Sequence, residues 1–225
     1  MPRALDIVSL LSEGRVSWDA AFALQKEAEA RVKAGRRETL FLLEHEDVIT
    51  AGRNADLGEL LVSEDLLLQR GVQLRITNRG GKLTFHGPGQ LVAYPVLDLS
   101  PDRRDVRRYV RNLEEVLIRT AGDFGVAAAR SAAPERWASV WVGNDKLAAI
   151  GVHLSRWVTT HGCALNVTTD LAGFSLIVPC GIADGGVTSL LKENSGNPPP
   201  PLPQVAECFA SHFLEVFERE KGESP

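Results

Sequence analysis

Runs of apolar residues short enough to be strands come in pairs in this chain, with a single helical stretch between one pair and the next. Strict alternation of strand and helix would build a parallel sheet. Paired strands build a mixed, mostly antiparallel sheet flanked by helices, an α+β fold. Thr39-Leu40-Phe41-Leu42-Leu43 is continuously apolar, the pattern of a strand buried on both faces. A second short strand is expected near Val48-Ile49-Thr50, ahead of the loop Gly52-Arg53-Asn54, and Leu74 to Ile76 forms another. A strand over Leu91–Leu97 carries Pro95, which marks a bulge or an edge. Val140–Val142, a hairpin turn at Gly143-Asn144-Asp145, and β-type runs over Leu147–Val158 and Cys163–Val167 complete the strands.

The helices are marked by caps and by period. Ser17 caps a helix whose Trp18, Ala21, Phe22, Ala28 and Val32 share a face until Gly35 ends it. Glu64 to Arg70 supplies one or two turns. Ser100 and Pro101 open a helix with a buried stripe of Val106, Tyr109, Val110, Leu113, Val116, Leu117 and Ala121. A short helix is expected near Val187–Lys192. Asn194–Pro203 is too rich in Gly and Pro for regular structure and reads as a connector within a single domain spanning residues 1–225. Val205, Phe209, Phe213, Val216 and Phe217 make the last helix.

A net charge of −4 gives no sign of a nucleic-acid protein. Basic residues cluster at Arg103, Arg104, Arg107, Arg108 and Arg111, either as a solvated helix face or as a docking patch for an acidic partner. Three cysteines, Cys163, Cys180 and Cys208, cannot all pair, and their spacing matches no zinc pattern. With no signal peptide and no apolar run long enough for a membrane span, a reducing cytoplasm with free thiols is expected.

Chemistry concentrates in a few places. Ile177-Val178-Pro179-Cys180-Gly181-Ile182 places a thiol between a proline and a glycine, where a sharp turn lifts it into the open as a nucleophile requires. Arg79 to Gln90 has four glycines in twelve positions, which allow close approach of a ligand to backbone N–H groups. It is not a phosphate-binding P-loop, because Ile76 and Leu83 stand where that needs Gly and Ser/Thr, nor a dinucleotide fingerprint, because Gln90-Leu91-Val92 follows Gly87-Pro88-Gly89. Lys146 starts an apolar strand. If it points toward Cys180, its ammonium would lower a thiol pKa that otherwise leaves only about 3% thiolate at pH 7. His161, Gly162 and Asn166 lie between the two. Cys163 alternates with Leu165 and Val167 and reads as core, as does Cys208 beside Phe209; His153 sits mid-strand.

These residues occur together in one order: Arg79-Gly80-Gly81-x-x-Thr84-x-His86-Gly87-Pro88-Gly89-Gln90-Leu91-x-x-Tyr94-Pro95, then Lys146-x-Ala148-x-Ile150-Gly151, His161-Gly162-x-Ala164-Leu165-Asn166 and Pro179-Cys180-Gly181. From about His45 to Leu190 the chain resembles the octanoyltransferases of lipoate biosynthesis, the lipoyl(octanoyl) transferases. The resemblance implies a fold of the biotin/lipoate protein ligase type. It also implies transfer of an octanoyl group from octanoyl acyl carrier protein to a lysine of lipoyl domains, those of 2-oxoacid dehydrogenase complexes and the glycine cleavage H protein. Cys180 would form the acyl-thioester and Lys146 would tune it. Arg79, Gly80, Gly81, Lys82, Leu83, Thr84, Phe85 and His86 would line the acyl site, with Ala149, Ile150, Gly151, Gly162, Cys163 and Ala164, supported by His161, Asn166 and Gly181. Cys163 departs from the bulkier apolar residue usual in the family. No cofactor, nucleotide or metal is implied, because the thioester itself supplies the driving force. The rival readings are an ATP-dependent lipoate or biotin ligase on the same fold, and a non-catalytic binder of acyl carrier or lipoyl domains.

Overall fold

The computed structural model describes residues 3–100, 104–131, 138–178, 185–194, 198 and 200–222. In chain order its strands are β1 (Arg3–Ser9), β2 (Glu38–Leu43), β3 (Val48–Ala51), β4 (Gln73–Ile76), β5 (Leu83–His86), β6 (Gln90–Val96), β7 (Ala129–Arg130), β8 (Ser139–Val142), β9 (Asp145–Ser155), β10 (Val158–Asn166) and β11 (Arg219–Lys221). The helices are α1 (Trp18–Lys33), α2 (Glu64–Gln69), α3 (Val106–Asp123), α4 (Leu190–Glu193) and α5 (Leu202–Val216). An eight-stranded sheet runs β11-β1-β2-β6-β10-β9-β8-β7, and a three-stranded sheet runs β4-β3-β5. Strand β1 is parallel to β11 and β2, and β4 is parallel to β3; the other pairings are antiparallel. The expected mixed, mostly antiparallel sheet is what forms.

The period-2 alternation of the central strands sorts the core into two layers. Leu40 and Leu42 of β2, with Leu91 and Ala93 of β6, face α3 and α5. Phe41 and Leu43, with Val92, Tyr94 and Val96, face Ala21, Ala28 and Val32 of α1. Both strands are buried along their whole length, which is why they read as continuous apolar runs. A third cluster, including Ile49, Leu67, Leu83, Phe85 and Phe174, lies under the small sheet. Ser17 caps α1 by accepting from the N–H of Ala20, and Gly35 (φ +77°) ends it in the left-handed region.

Helix α5 locks onto α3 through aromatics. Phe213 is fully buried, stacks on Phe217 at 4.2 Å and on Phe209 at 6.1 Å, and Phe217 meets Tyr109 edge-on at 5.8 Å. Phe213→Ala is expected to cost about 3–5 kcal/mol in urea unfolding, from lost transfer energy and the cavity left behind. A loss below about 1 kcal/mol would show that α5 is not integral to the fold.

Several boundaries differ from expectation. Helix α3 begins at Val106 and is capped by Asp105, whose side chain accepts from the N–H of Arg108; Ser100 instead donates its hydroxyl to Asp98, and Pro101 lies outside the described residues. The run Leu147–Val158 is broken by a turn at Arg156 and Trp157, both at positive φ (51° and 66°), a conformation neither residue signals. A strand, β5, lies inside the glycine-rich loop and pairs with β3. The helix expected near Val187 is confined to Leu190–Glu193, and Val187 forms a bridge with Lys146. The Gly- and Pro-rich connector ends early, because α5 starts at Leu202. Cys208 is only half-buried, with its thiol beside Asp123, because adjacent positions on a helix do not share a face.

Pro95 sits in a central strand, not at an edge. Its nitrogen faces β10, where the ladder is interrupted opposite His161 (φ +57°). Thr159 fills the gap: its hydroxyl donates to the Pro95 carbonyl at 2.7 Å and accepts from the N–H of Leu97 at 2.9 Å. Strands β1, β7 and β11 were not expected. The latter two are two and three residues long, too short for any period to show. The buried bidentate pair between Arg219 and Glu38 fastens β11 to β2.

Candidate active site

A cleft of about 560 Å³ opens between the glycine-rich loop, the first turns of α3, the start of β8, and strands β9 and β10. Strand β9 runs along it from Lys146 through Ala149–Val152 to Leu154, and β10 contributes His161–Ala164. Strand β10 passes close to β6 at Gly162. A Cβ at Gly162 would lie 2.1 Å from the Ala93 carbonyl oxygen, so no other residue fits without moving β6.

The glycine-rich loop is held by its own arginine. Arg79 is buried, and its guanidinium donates to the Thr50 carbonyl (2.6 Å), the Thr50 hydroxyl (2.8 Å), the Lys82 carbonyl (2.8 Å) and the Gly80 carbonyl (2.9 Å). The N–H of Gly80 donates to the Val152 carbonyl at 2.9 Å, so the loop is stitched to both β3 and β9. Lys82 pairs with Glu59. Gly52 is required for the same closure, because a Cβ there would lie 2.3 Å from the Gly81 carbonyl oxygen.

A chain of neutral hydrogen bonds runs from this loop to the neighbourhood of Lys146. His86 donates from Nδ1 to Gln90 Oε1 at 2.7 Å and presents Nε2 to the Thr50 hydroxyl at 3.4 Å. Gln90 donates to Asn166 at 2.8 Å, and Asn166 donates to the Thr188 carbonyl at 2.9 Å. The N–H of Thr188 in turn donates to the Lys146 carbonyl at 2.9 Å. Burial, with His45 nearby, pushes the His86 imidazole down to about 3, so it stays neutral and the chain keeps one polarity. His161 is pushed to about 3 by burial and Arg79; it donates to Asn78 and stacks on Phe22 at 5.7 Å. His45, pushed to about 4 by burial, accepts from the Tyr94 hydroxyl at 2.9 Å.

These imidazoles set an acid limit. Each has a folded pKa below the 6.5 of the free group, so the unfolded chain binds more protons between about pH 6.5 and pH 3. Their stabilisation is complete above pH 6.5 and is lost as pH falls, with a slope of up to ~1.4 kcal/mol per pH unit for each group. The urea midpoint should therefore drop between pH 7 and pH 5; equal midpoints would mean the three rings are charged in the folded state.

Lys146 is half-buried on the cleft wall, with its ammonium 5.1 Å from the centre of the Trp141 ring, within reach of a cation–π contact. Its N–H donates to the Gly186 carbonyl at 2.9 Å, and Gly186 donates to Asp145 at 2.8 Å. On the far side of the intervening chain, the N–H of Val178 donates to the Glu59 carbonyl at 2.8 Å. Cys180 and Gly181 lie outside the described residues.

Of the other expected site residues, Arg79–Thr84, His86, Ala149–Gly151 and His161–Ala164 all line the cleft. Burial pushes the Cys163 thiol up, so it stays protonated on the cleft wall and within the core. Phe85 does not line the cleft: it shares a face of β5 with Leu83, opposite Thr84 and His86, and where Leu83 at the loop end still reaches the cleft, Phe85 packs edge-on against Phe174 at 5.6 Å. Asn166 lies behind the wall, in the hydrogen-bonded chain. Among the described residues no group of three or more His, Cys, Asp or Glu side chains could hold a metal, and no helix is long and apolar enough to cross a membrane.

Residues 18–214 match the family model for the lipoyl protein ligase A/B catalytic domain. The chain is 48% identical over 208 residues to the octanoyltransferase of Solibacter usitatus, covering 92% of this chain and 91% of that one. It is 46% identical to the octanoyltransferase of Alkaliphilus metalliredigens, covering 95% of each. The chain belongs to the octanoyltransferase family. Its fold is that of a putative lipoate protein ligase, Ta0514 from T. acidophilum, solved with bound lipoic acid (TM-score 0.77, 16% identity, 100% of this chain and 89% of that one).

For this octanoyltransferase-family chain, the sequence did not single out Trp18, Thr50, Arg53, Asn54, Val106, Val110, Ser139 or Leu154 as cleft residues. Arg53 and Asn54 follow a glycine after a strand, a usable signal. Val106 and Val110 read only as a buried helix stripe, and nothing local separates a stripe facing the core from one facing a cleft.

Proposed function

We propose that the chain, as a single acyltransferase domain, moves an octanoyl group from octanoyl acyl carrier protein to a lysine amine of lipoyl domains, in the cytoplasm, through a thioester on Cys180. The acceptors are the lipoyl domains of 2-oxoacid dehydrogenase complexes and the glycine cleavage H protein. The observation that carries this reading is the position of Lys146: it lines the cleft, and its backbone is hydrogen-bonded to Gly186, six positions along the chain from Cys180.

The Cys180 thiolate, stabilised by the Lys146 ammonium, attacks the carbonyl carbon of the octanoyl thioester. The new C–S bond forms as the carrier thiolate leaves and takes a proton from the Lys146 ammonium, which becomes the neutral amine, and backbone N–H groups, including that of Gly181, hold the oxyanion. The acyl chain lies along Ile150, Val110 and Cys163. The acceptor amine then attacks the enzyme thioester, its proton passes to the neutral Lys146 amine, and the Cys180 thiolate is released. Two half-reactions on one thiol give ping-pong kinetics.

A mass spectrum taken after mixing with octanoyl acyl carrier protein tests the reading: an octanoyl increment mapping to Cys180 is expected. An unmodified protein that still holds the carrier would leave a binder. Pyrophosphate released from octanoate, ATP and magnesium would make the chain a ligase.

A further inference from the structure

Helix α3 carries its charge against its own dipole. Helix α1 follows the usual rule, with Asp19 in its first turn and Arg31 and Lys33 in its last. Helix α3 has no acid in its first turn and no base in its last; instead Arg107, Arg108 and Arg111 stand in its opening turns and Arg104 just before them, all exposed. Cations there raise the energy of the helix, so local stability does not account for them.

They are neutralised only in part, Arg111 acting on Glu114 across one turn without an ion-pair contact. Arg107, Arg108 and Arg111 have no ion pair among the described residues, whereas Arg119 and Arg130 are paired with the helix's own Glu114 and Glu115. Asp105, which lies among them in the chain, is engaged in capping the helix, and Arg104 lies over the Trp157 ring at 5.9 Å. In a chain of net charge −4 this makes a local positive face that an acidic protein would otherwise not find.

The face borders the cleft, because Val106 and Val110 of the same turns line it. Building on the transfer reading, we propose that this face of α3 docks the acyl donor, a small acidic carrier protein, and steers its thioester-bearing arm into the cleft. The donor fits better than the acceptor: it must lay an alkyl chain against Val106 and Val110, whereas the acceptor brings a single amine.

The test compares wild type with an Arg107→Glu/Arg108→Glu/Arg111→Glu triple variant and its Gln counterpart. Binding of fluorescently labelled octanoyl acyl carrier protein is followed by anisotropy at low and moderate salt, and acylation of Cys180 is followed with octanoyl pantetheine, which has no protein to dock. Kd for the carrier should rise at least ~10-fold in the Glu variant and less in the Gln variant, with a flatter salt dependence in both. Acylation by octanoyl pantetheine and the melting temperature should hold, since the changes remove charges that oppose the dipole. Unchanged carrier affinity overturns the proposal, as does a parallel loss with octanoyl pantetheine, or weakened binding of a lipoyl domain alone. Failure of wild type to acylate from octanoyl pantetheine would instead sink the transfer reading, which the binding measurement does not depend on.

Discussion

Cys180→Ser is expected to lower octanoyl transfer by at least about a thousandfold and to eliminate the octanoyl-enzyme from the mass spectrum. A thiol near its ordinary pKa needs only a neighbouring cation to become the major nucleophile, and a serine hydroxyl needs a strong base in contact with it. The lysine that lines this cleft has its ammonium 5.1 Å from the centre of the Trp141 ring. Serine differs from cysteine by one atom, so the melting temperature should move little. Retention of more than about a tenth of wild-type turnover would remove Cys180 from the mechanism.

Lys146→Met should slow turnover by about 10²–10⁴-fold, the range for a positioned acid–base group. It should also raise the pH at which iodoacetamide labels Cys180 by ~1–2 units, because each unit the ammonium contributes is about 1.4 kcal/mol of thiolate stabilisation. Methionine keeps most of the length and apolar surface of the stem against Trp141, so the fold should lose no more than the ammonium–indole contact, ~0.5–1 kcal/mol. The two readouts separate roles. A slower enzyme with an unshifted labelling profile leaves Lys146 as the base for the acceptor amine alone, and profiles and turnover that both match wild type would dissolve the pairing.

Legibility followed the length scale of the signal. Continuous apolar runs placed β2 and β6, because strands buried on both faces leave no polar alternation to misread. Ser17 and Gly35 bounded α1 through two short-range rules, one for the cap and one for positive φ. The same rules failed at Ser100, where the hydroxyl finds a partner at Asp98 and leaves the cap to Asp105. They were silent at Arg156 and Trp157, whose left-handed backbone is imposed by the pairing of β9 with β10 and not by either residue. The glycine-rich loop was visible as a ligand-approach element, and its internal strand was not, because β5 exists only by pairing with β3.

The sequence alone determined which residue types were on offer for the chemistry: a thiol between a proline and a glycine, a lysine ahead of an apolar run, and a glycine-rich loop, in the order that carries the resemblance. Those are covalent and short-range facts that no partner element can change. Only the tertiary structure decided which groups meet. It spent the Arg79 guanidinium on Thr50 and the loop carbonyls, turned Phe85 away from the cleft, and tied Asn166 through Thr188 to the Lys146 backbone. It also set the cleft-lining valines of α3 beside exposed arginines. Each outcome depends on segments tens of residues apart competing for the same donors and the same space, and that competition is settled by packing, which no window of the chain contains.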